Sequence, residues 1–440
     1  SNLSVIHSDV HSIDNKLKWI RPIGKHYLTV ESRNKFQTLP EKLCVEADGQ
    51  SLQDVKRKQF LSMTKLNYTW NMKRWAFSID TKGILSASNI KSNFMSDNID
   101  TTFYENSSIN YLSLIVCPSL IYKFKGIRSE IQVPLSVYHY WGLSSSDRVF
   151  YLPEWTFSWQ VSSRWKLRTN LSLGSTAPSV NNSYVAPIMT DSKTFSSSPI
   201  INYWENKQNS AFSISYTDYT HMLFGNASVG FNWGKDKSNT TKWVERDLVF
   251  YSKEKGNNTS RGTMILGSLS KRIEGIRGMV NAKCLGFLNR ATILQNGESV
   301  DYKTNMWQTS VGLNSNVHDW LEIDYQLGYN INSLSFSKAK TSTKLLTQAL
   351  NISFLPIEDL TLTVMAEHYA NYFSSLPSKQ TIFSDIRCVY KYHKVDFVGS
   401  LTNVFNQKYY NNTSYTDLSS SYRKFSLRGR TFLLSVVTYF

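Results

Sequence analysis

The feature that most constrains this chain is a two-residue period in hydrophobicity that runs through nearly its whole length. A strand sends successive side chains to opposite faces, so a sustained period of two admits strands and excludes helices. The C-terminal stretch "SLRGRTFLLSVVTYF" shows it. Phe432, Leu434, Val436, Thr438 and Phe440 fall on one side, with Thr431, Leu433, Ser435, Val437 and Tyr439 on the other. The second side is itself fairly apolar, which suits a strand covered on both faces. A strand of this kind at a chain end is unusual in a soluble protein, where ends fray. A closed barrel in lipid gives it a reason, because the last strand must seal against the first to leave no open edge in hydrocarbon.

The period repeats as hairpins. In "PEWTFSWQVSSRWKLRTNLSLG", Trp155, Phe157, Trp159 and Val161 precede a turn at Ser162 to Arg164, and Trp165, Leu167, Thr169, Leu171 and Leu173 follow it. Each arm has about the nine to eleven residues that a tilted membrane strand needs. Similar hairpins are expected around Lys73 and Arg74, from Asn314 to Asp319, at "PIED" and at His393 and Lys394. Between these tight turns lie longer segments rich in Ser, Thr, Asn and Lys: "STAPSVNNSYVAPIMTDSKTFSSSPI", "GKDKSNTTKWVERD", "SKEKGNNTSRG" and "QKYYNNTSYTDLSSSYRK". Short turns alternating with long loops are expected when one rim of a barrel is periplasmic and the other extracellular. The reading is therefore all-β, an antiparallel transmembrane β-barrel of the outer-membrane type with about sixteen to eighteen strands. One barrel domain is expected over residues 1–440, with strands poorly defined over 1–60, where "HYLTVESR" and "EKLCVEAD" stand out, and recurrent hairpins over 61–440.

Composition fits this reading. Hydrophobic residues make up 41% of 440, and mean hydropathy is −0.33. A barrel dilutes its hydropathy because half of each strand faces a polar lumen. No run approaches the roughly 18 apolar residues of a membrane helix. Aromatic residues reach 14%, which suits rings at membrane interfaces. Trp75, Trp155, Trp159, Trp165, Trp307 and Trp320 are read as an interfacial belt beside the short turns. The net charge of +16 raises nucleic acid as a partner, but the longest basic tract is "DVKRKQ" and the remaining charges alternate with apolar residues. No nucleic-acid partner is therefore expected, and the basic groups suit a lumen or rim that meets anionic ligands or lipid head groups.

No enzyme chemistry finds a foothold. The sequence has no G-x-S-x-G, H-E-x-x-H or Walker A pattern, so no catalytic residue is expected. His139, His318 and His368 lack ligand spacing, and Cys44, Cys117, Cys284 and Cys388 lie far apart without a C-x-x-C pair. No metal site or cofactor is expected, and each cysteine reads as a small apolar strand residue. Glu322 and Asp324 share a strand face, as a glycosidase pair could, and equally as ordinary lumen acids do.

"LTNVFNQKYY" at 401–410, a polar loop and then "RGRTFLLSVVTYF" together resemble the closing segment of TonB-dependent outer-membrane receptors. Asn403, Val404, Phe405, Asn406 and Tyr409 fill the family's Asn-Leu-Phe-Asn/Asp-x-x-Tyr element, and Arg428, Arg430 and Phe440 its final strand. The mid-barrel hairpin leading to Ala177 and Pro178 is also similar, over roughly the last 300 residues in all. The closing variant looks most like receptors that carry a carboxypeptidase-regulatory-like domain ahead of the plug. The resemblance implies a bacterial outer-membrane location and a barrel of about 22 strands around an N-terminal plug. It further implies energised uptake of a small nutrient, with outer-membrane lipid, a TonB-type transducer and a surface lipoprotein as partners. It also implies that Val436, Tyr439 and Phe440 form the barrel-closing assembly signal. Neither a plug nor a TonB box is recognisable here, so these residues are expected to be the C-terminal barrel portion of a longer receptor. Two alternatives stay open: a non-energised porin or adhesin barrel, and a soluble all-β carbohydrate-binding protein.

Overall fold

The computed structural model describes residues 3–8, 10–24, 26–47, 49–96, 102–142, 145–177, 186–191, 194–197, 204–245, 248–295, 298–336, 339–373, 379–416 and 419–438. Among them the only helical element is one 3-10 turn at Glu274–Ile276. The first strands are β1 (Leu3–Ser8), β2 (His11–Ile23), β3 (His26–Ala47), β4 (Gly49–Asn71), β5 (Trp75–Ser96), β6 (Phe103–Phe124), β7 (Ile127–Gln132) and β8 (Leu135–Gly142). Then follow β9 (Ser146–Tyr151), β10 (Glu154–Gln160), β11 (Trp165–Thr176), β12 (Ile188–Asp191), β13 (Thr194–Ser197), β14 (Glu205–Asp218), β15 (Leu223–Glu245), β16 (Leu248–Ile273) and β17 (Gly278–Gln295). The last are β18 (Glu298–His318), β19 (Leu321–Phe336), β20 (Ala339–Ile357), β21 (Leu360–Phe373), β22 (Lys379–Tyr392), β23 (Val395–Thr402), β24 (Tyr409–Thr416), β25 (Ser419–Ser426) and β26 (Thr431–Thr438).

Of the 26 strands, 24 form one sheet. Along the wall each strand pairs antiparallel with its chain neighbour. β1 and β2 both pair with β3 and act as one stave. β7 and β8 both line β6, and β10 and β9 line them in turn. With β12–β13 and β24–β25 set aside, the wall has nineteen staves rather than the expected sixteen to eighteen. In the first sixty residues the two segments "HYLTVESR" and "EKLCVEAD" are one strand, because β3 runs unbroken through both. Among the described residues β2 pairs only with β3, and β26 only with β23.

The tight turns fall at 72–74, 161–164, 358–359 and 393–394, close to where the pattern puts them. One shifts: β18 continues to His318, so its turn is Asp319–Trp320 and not the whole span from Asn314. Two long polar segments are strands, not loops. Residues 234–245 and 252–262 belong to β15 and β16, which pair from Leu223↔Lys271 to Glu245↔Leu248. Polar side chains leave backbone pairing intact, so a hairpin that rises clear of the membrane needs no apolar period. Residues 409–416 and 419–426 likewise pair as the separate strands β24 and β25.

Register sorts the side chains onto two faces. Trp70↔Phe77, Phe77↔Leu120, Leu120↔Ile131, Ile131↔Trp155, Trp155↔Leu171 and Leu167↔Ile214 form a continuous apolar row on one side. Val311↔Leu327, Tyr325↔Leu350, Leu350↔Ala366, Ile386↔Leu401 and Leu401↔Phe432 continue the same face toward the last strand. The intervening residues are mainly polar. The fold is thus an antiparallel wall of the outer-membrane β-barrel type, apolar on one face and polar on the other.

Candidate functional site

The polar face is the interior, as the β12–β13 hairpin shows. The ring of Phe195 on β13 lies 5.0 Å from Phe94 on β5 and 5.0 Å from Phe250 on β16. Those strands are seven steps apart along the wall, so a flat sheet would separate them by about 33 Å. A single phenyl ring bridges them because the sheet curls toward the face that carries Phe94. Phe94 shares that face with Asp80 and Lys82, since all three hold even positions on β5.

Charge on the interior face is largely balanced within the wall. Arg33 on β3 forms an ion pair with Asp14 on β2. Lys18 meets Glu31 at 3.2 Å, and Asp80 receives both Lys65 at 3.5 Å and the amide of Asn67 at 2.8 Å. Farther round, Asn281, Lys283, Ser310, Asn314, Asp324 and Gln326 line a polar recess of about 300 Å³. Asp324 accepts from Asn314 at 3.3 Å. Such a surface offers a solute donors and acceptors of both signs, and among the described residues no group of three metal-ligating side chains. A larger recess of about 480 Å³ lies at β11, β14, β15 and β16, where Leu167, Phe212, Ile214, Ala227, Val229 and Ile265 line it. Those side chains sit on the apolar face, so it is a gap in the exterior and not a solute site.

The β12–β13 hairpin forms a strap across this interior. Gln53 on β4 accepts from the backbone N–H of Met189 at 2.6 Å, and donates to the carbonyl of Pro187 at 3.3 Å and to Ser92 at 3.1 Å. The carboxylate of Glu105 on β6 accepts from the N–H of Ala186 at 3.0 Å. Apolar contacts flank these bonds: Val55 and Ile90 pack with Ile188, while Phe94, Met189, Phe195 and Phe250 form a second buried cluster. On the far side β13 pairs parallel with β16 over four residues, Thr194↔Val249 to Ser197↔Ser252. These strap anchors, Gln53 and Glu105 above all, carry no period-two signal that could have revealed them in the sequence.

The closing motif folds into one hydrogen-bonded knot. Asn403 has φ 54 and Asn406 φ 53, left-handed values that asparagine tolerates better than most residues. The Asn403 amide donates to the carbonyls of Gln407 and Arg428, both at 2.9 Å, and accepts from the Gln407 N–H at 2.8 Å. Asn406 accepts from the Arg430 N–H at 3.1 Å, and the Arg430 guanidinium donates to the Val404 carbonyl at 2.6 and 3.0 Å. The knot is tied to β22 through Asn403 N–H to Asp385 at 2.7 Å. Phe405 and Tyr409 are exposed, with Lys424 over the Tyr409 ring at 3.9 Å. Val436 is exposed on the apolar face, whereas Tyr439, Phe440 and Pro178 lie outside the described residues.

Trp75, Trp159, Trp165 and Trp320 stand at the short-turn rim, exposed, and Trp155 on the same face deeper in the wall. Trp307 departs from this pattern. It sits mid-strand on β18, opposite Gly286 and Ile331, roughly twelve residues from the turn and so near the opposite end of the apolar band. Gly286 makes room for it, since a Cβ there would lie 2.5 Å from the indole.

No family model and no curated protein matches the chain. Among solved structures it is similar to the copper transporter OprC, at 8% identity and a TM-score of 0.41 over 100% of this chain and 80% of that one. It is also similar to the ferric-catecholate import receptor Fiu from E. coli K12 in its closed form, at 9% identity and TM-score 0.40 over 100% and 81%. The ferric yersiniabactin uptake receptor FyuA from Yersinia pestis gives 8%, 0.39, 100% and 80%. Likeness this distant carries no argument, and the functional reading rests on the geometry above.

Proposed function

We propose that this chain is the wall of a bacterial outer-membrane receptor that takes up a small nutrient ligand through its polar interior. The observation that carries the reading is the register-wide split between an apolar exterior and a polar, charge-balanced interior. Hydrocarbon favours such a wall, because antiparallel staves pair their backbone groups with their neighbours and present a mainly apolar face to lipid. The strap favours a gated receptor over an open porin, since an aqueous diffusion channel has no need of a hairpin fastened to both sides of its interior. Energy would come from a TonB-type transducer acting through a plug, a role that none of the described strands fills. The closing knot, with the Val436 to Phe440 end, would serve assembly.

Fractionation of cells expressing the full-length protein tests the location. The expected result is an outer-membrane fraction that only detergent extracts, and recovery in the soluble periplasm would refute it. Planar-bilayer recording then separates the two barrel readings. A receptor gives no steady conductance, whereas stable open channels from the full-length protein would favour the porin.

A further inference from the structure

Three cations stand in direct register on the apolar, exterior side of the wall. Arg261 on β16 pairs with Arg290 on β17, and Arg290 pairs with Lys303 on β18. All three are exposed, and none makes an ion pair among the described residues. Lys340 on β20 extends the row through Ser335. Like charges placed directly opposite each other in a ladder destabilise it, and here the unfavourable contact occurs twice in succession. Asp301 stands on the same face two residues from Lys303 and accepts from the Thr292 hydroxyl at 2.8 Å.

Their height identifies what could answer them. Strands tilted by about 40° climb roughly 2.5 Å per residue, so these cations stand about 33–40 Å above the short-turn rim. An apolar band of about 25 Å ends below that level, and the head-group layer of a bilayer begins there. Trp233, opposite Arg261, and Trp307, four residues below Lys303, mark the boundary on the same face. Guanidinium and ammonium groups side by side match phosphate oxygens, which arginine can bind through two parallel N–H donors.

On the membrane reading above, we propose that Arg261, Arg290 and Lys303 form a phosphate-binding row for an anionic lipid in the leaflet on the long-segment side. The row fixes the wall's height in the bilayer and neutralises its own repulsion by holding head-group phosphate. Binding of this kind weakens as salt rises, because the groups are solvent-exposed.

The test uses the full-length protein in neutral detergent, titrated with a bis-phosphorylated lipid A and with its dephosphorylated form. The triple variant R261Q/R290Q/K303Q is expected to bind the phosphorylated lipid at least about tenfold more weakly than the unaltered protein, with both binding the dephosphorylated lipid alike. A control that removes equal charge at the other rim, K73Q/K125Q/K394Q, should change affinity less than about threefold. The charge-keeping variant R261K/R290K should retain most of the binding, which separates loss of phosphate contacts from loss of fold. Equal affinity in the triple variant, an equal fall in the control, or displacement by inorganic phosphate at the lipid's own concentration would each overturn the proposal. If these failures occur in a protein that does partition into outer membranes, the receptor reading survives and only the lipid row is lost.

Discussion

Asn403 shows how much one side chain can hold in this wall. Its left-handed backbone and three side-chain hydrogen bonds join Gln407, Arg428 and the end of β23. Replacing it with Ala removes the bonds and puts at positive φ a residue that tolerates it less well than asparagine, which should cost about 2–3 kcal/mol. Replacing it with Gly should restore part of that by relieving φ. Urea unfolding in detergent measures both, and equal stability of N403A and the native chain would contradict the role given to the knot. Asp218 fastens a short turn in a similar way. Its buried carboxylate accepts from the His221 ring at 3.0 Å, from the N–H groups of Thr220 and His221, and from the Tyr216 hydroxyl, with Arg164 at 3.4 Å. Hydrogen bonding from His221 is the largest influence and holds the carboxyl down at about 2. A depressed carboxylate stabilises the fold fully above its unfolded value of 3.8, and the contribution is lost as pH falls through about 2. D218N should therefore lower the melting temperature at pH 7 by a few degrees, and the gap to the native chain should narrow as pH drops from 4 to 2. A gap that stays constant over that range would rule out the carboxylate as its source.

At the scale of the element, the sequence was most legible where one face of a strand meets lipid and the other meets water. The hairpins at Trp70↔Phe77 and Trp159↔Leu167 pair as the alternation implies, because apolar side chains can occupy only one face. Legibility failed above the membrane. There most of the β15–β16 arms are polar on both sides and held by backbone pairing, with Trp243 and Phe250 packed against the strap only near their outer end. Trp307 misled for a related reason: an aromatic ring suits either end of the apolar band, and only the length of β18 tells which. The two faces of that strand should tolerate charge very differently. L313R puts an arginine near mid-band on the apolar face and should cost about 2–4 kcal/mol, while S310R faces the polar recess and should cost under about 1. Outer-membrane abundance together with the urea midpoint would measure the pair, and similar losses at both positions would contradict the face assignment.

For the whole molecule, curvature was the property the sequence could not supply. Met189 reaches Gln53 across 136 positions, and nothing local announces that contact. The meeting of Phe94, Phe195 and Phe250 shows that the sheet curls toward the face that carries Phe94, and the exterior is then the other face. The count of staves was closer to hand, but runs such as His26–Ala47 hide their continuity where polar residues interrupt the alternation. Every functional statement depends on the side chains of successive residues lying in lipid and in water by turns. Nitroxide labels placed one at a time from Glu322 to Ile331, in a cysteine-free background reconstituted into bilayers, test this most directly. Collision with oxygen should peak at 323, 325, 327, 329 and 331, and collision with a polar nickel chelate at the positions between. Accessibility without a period of two, or with the two probes exchanged, would contradict the account.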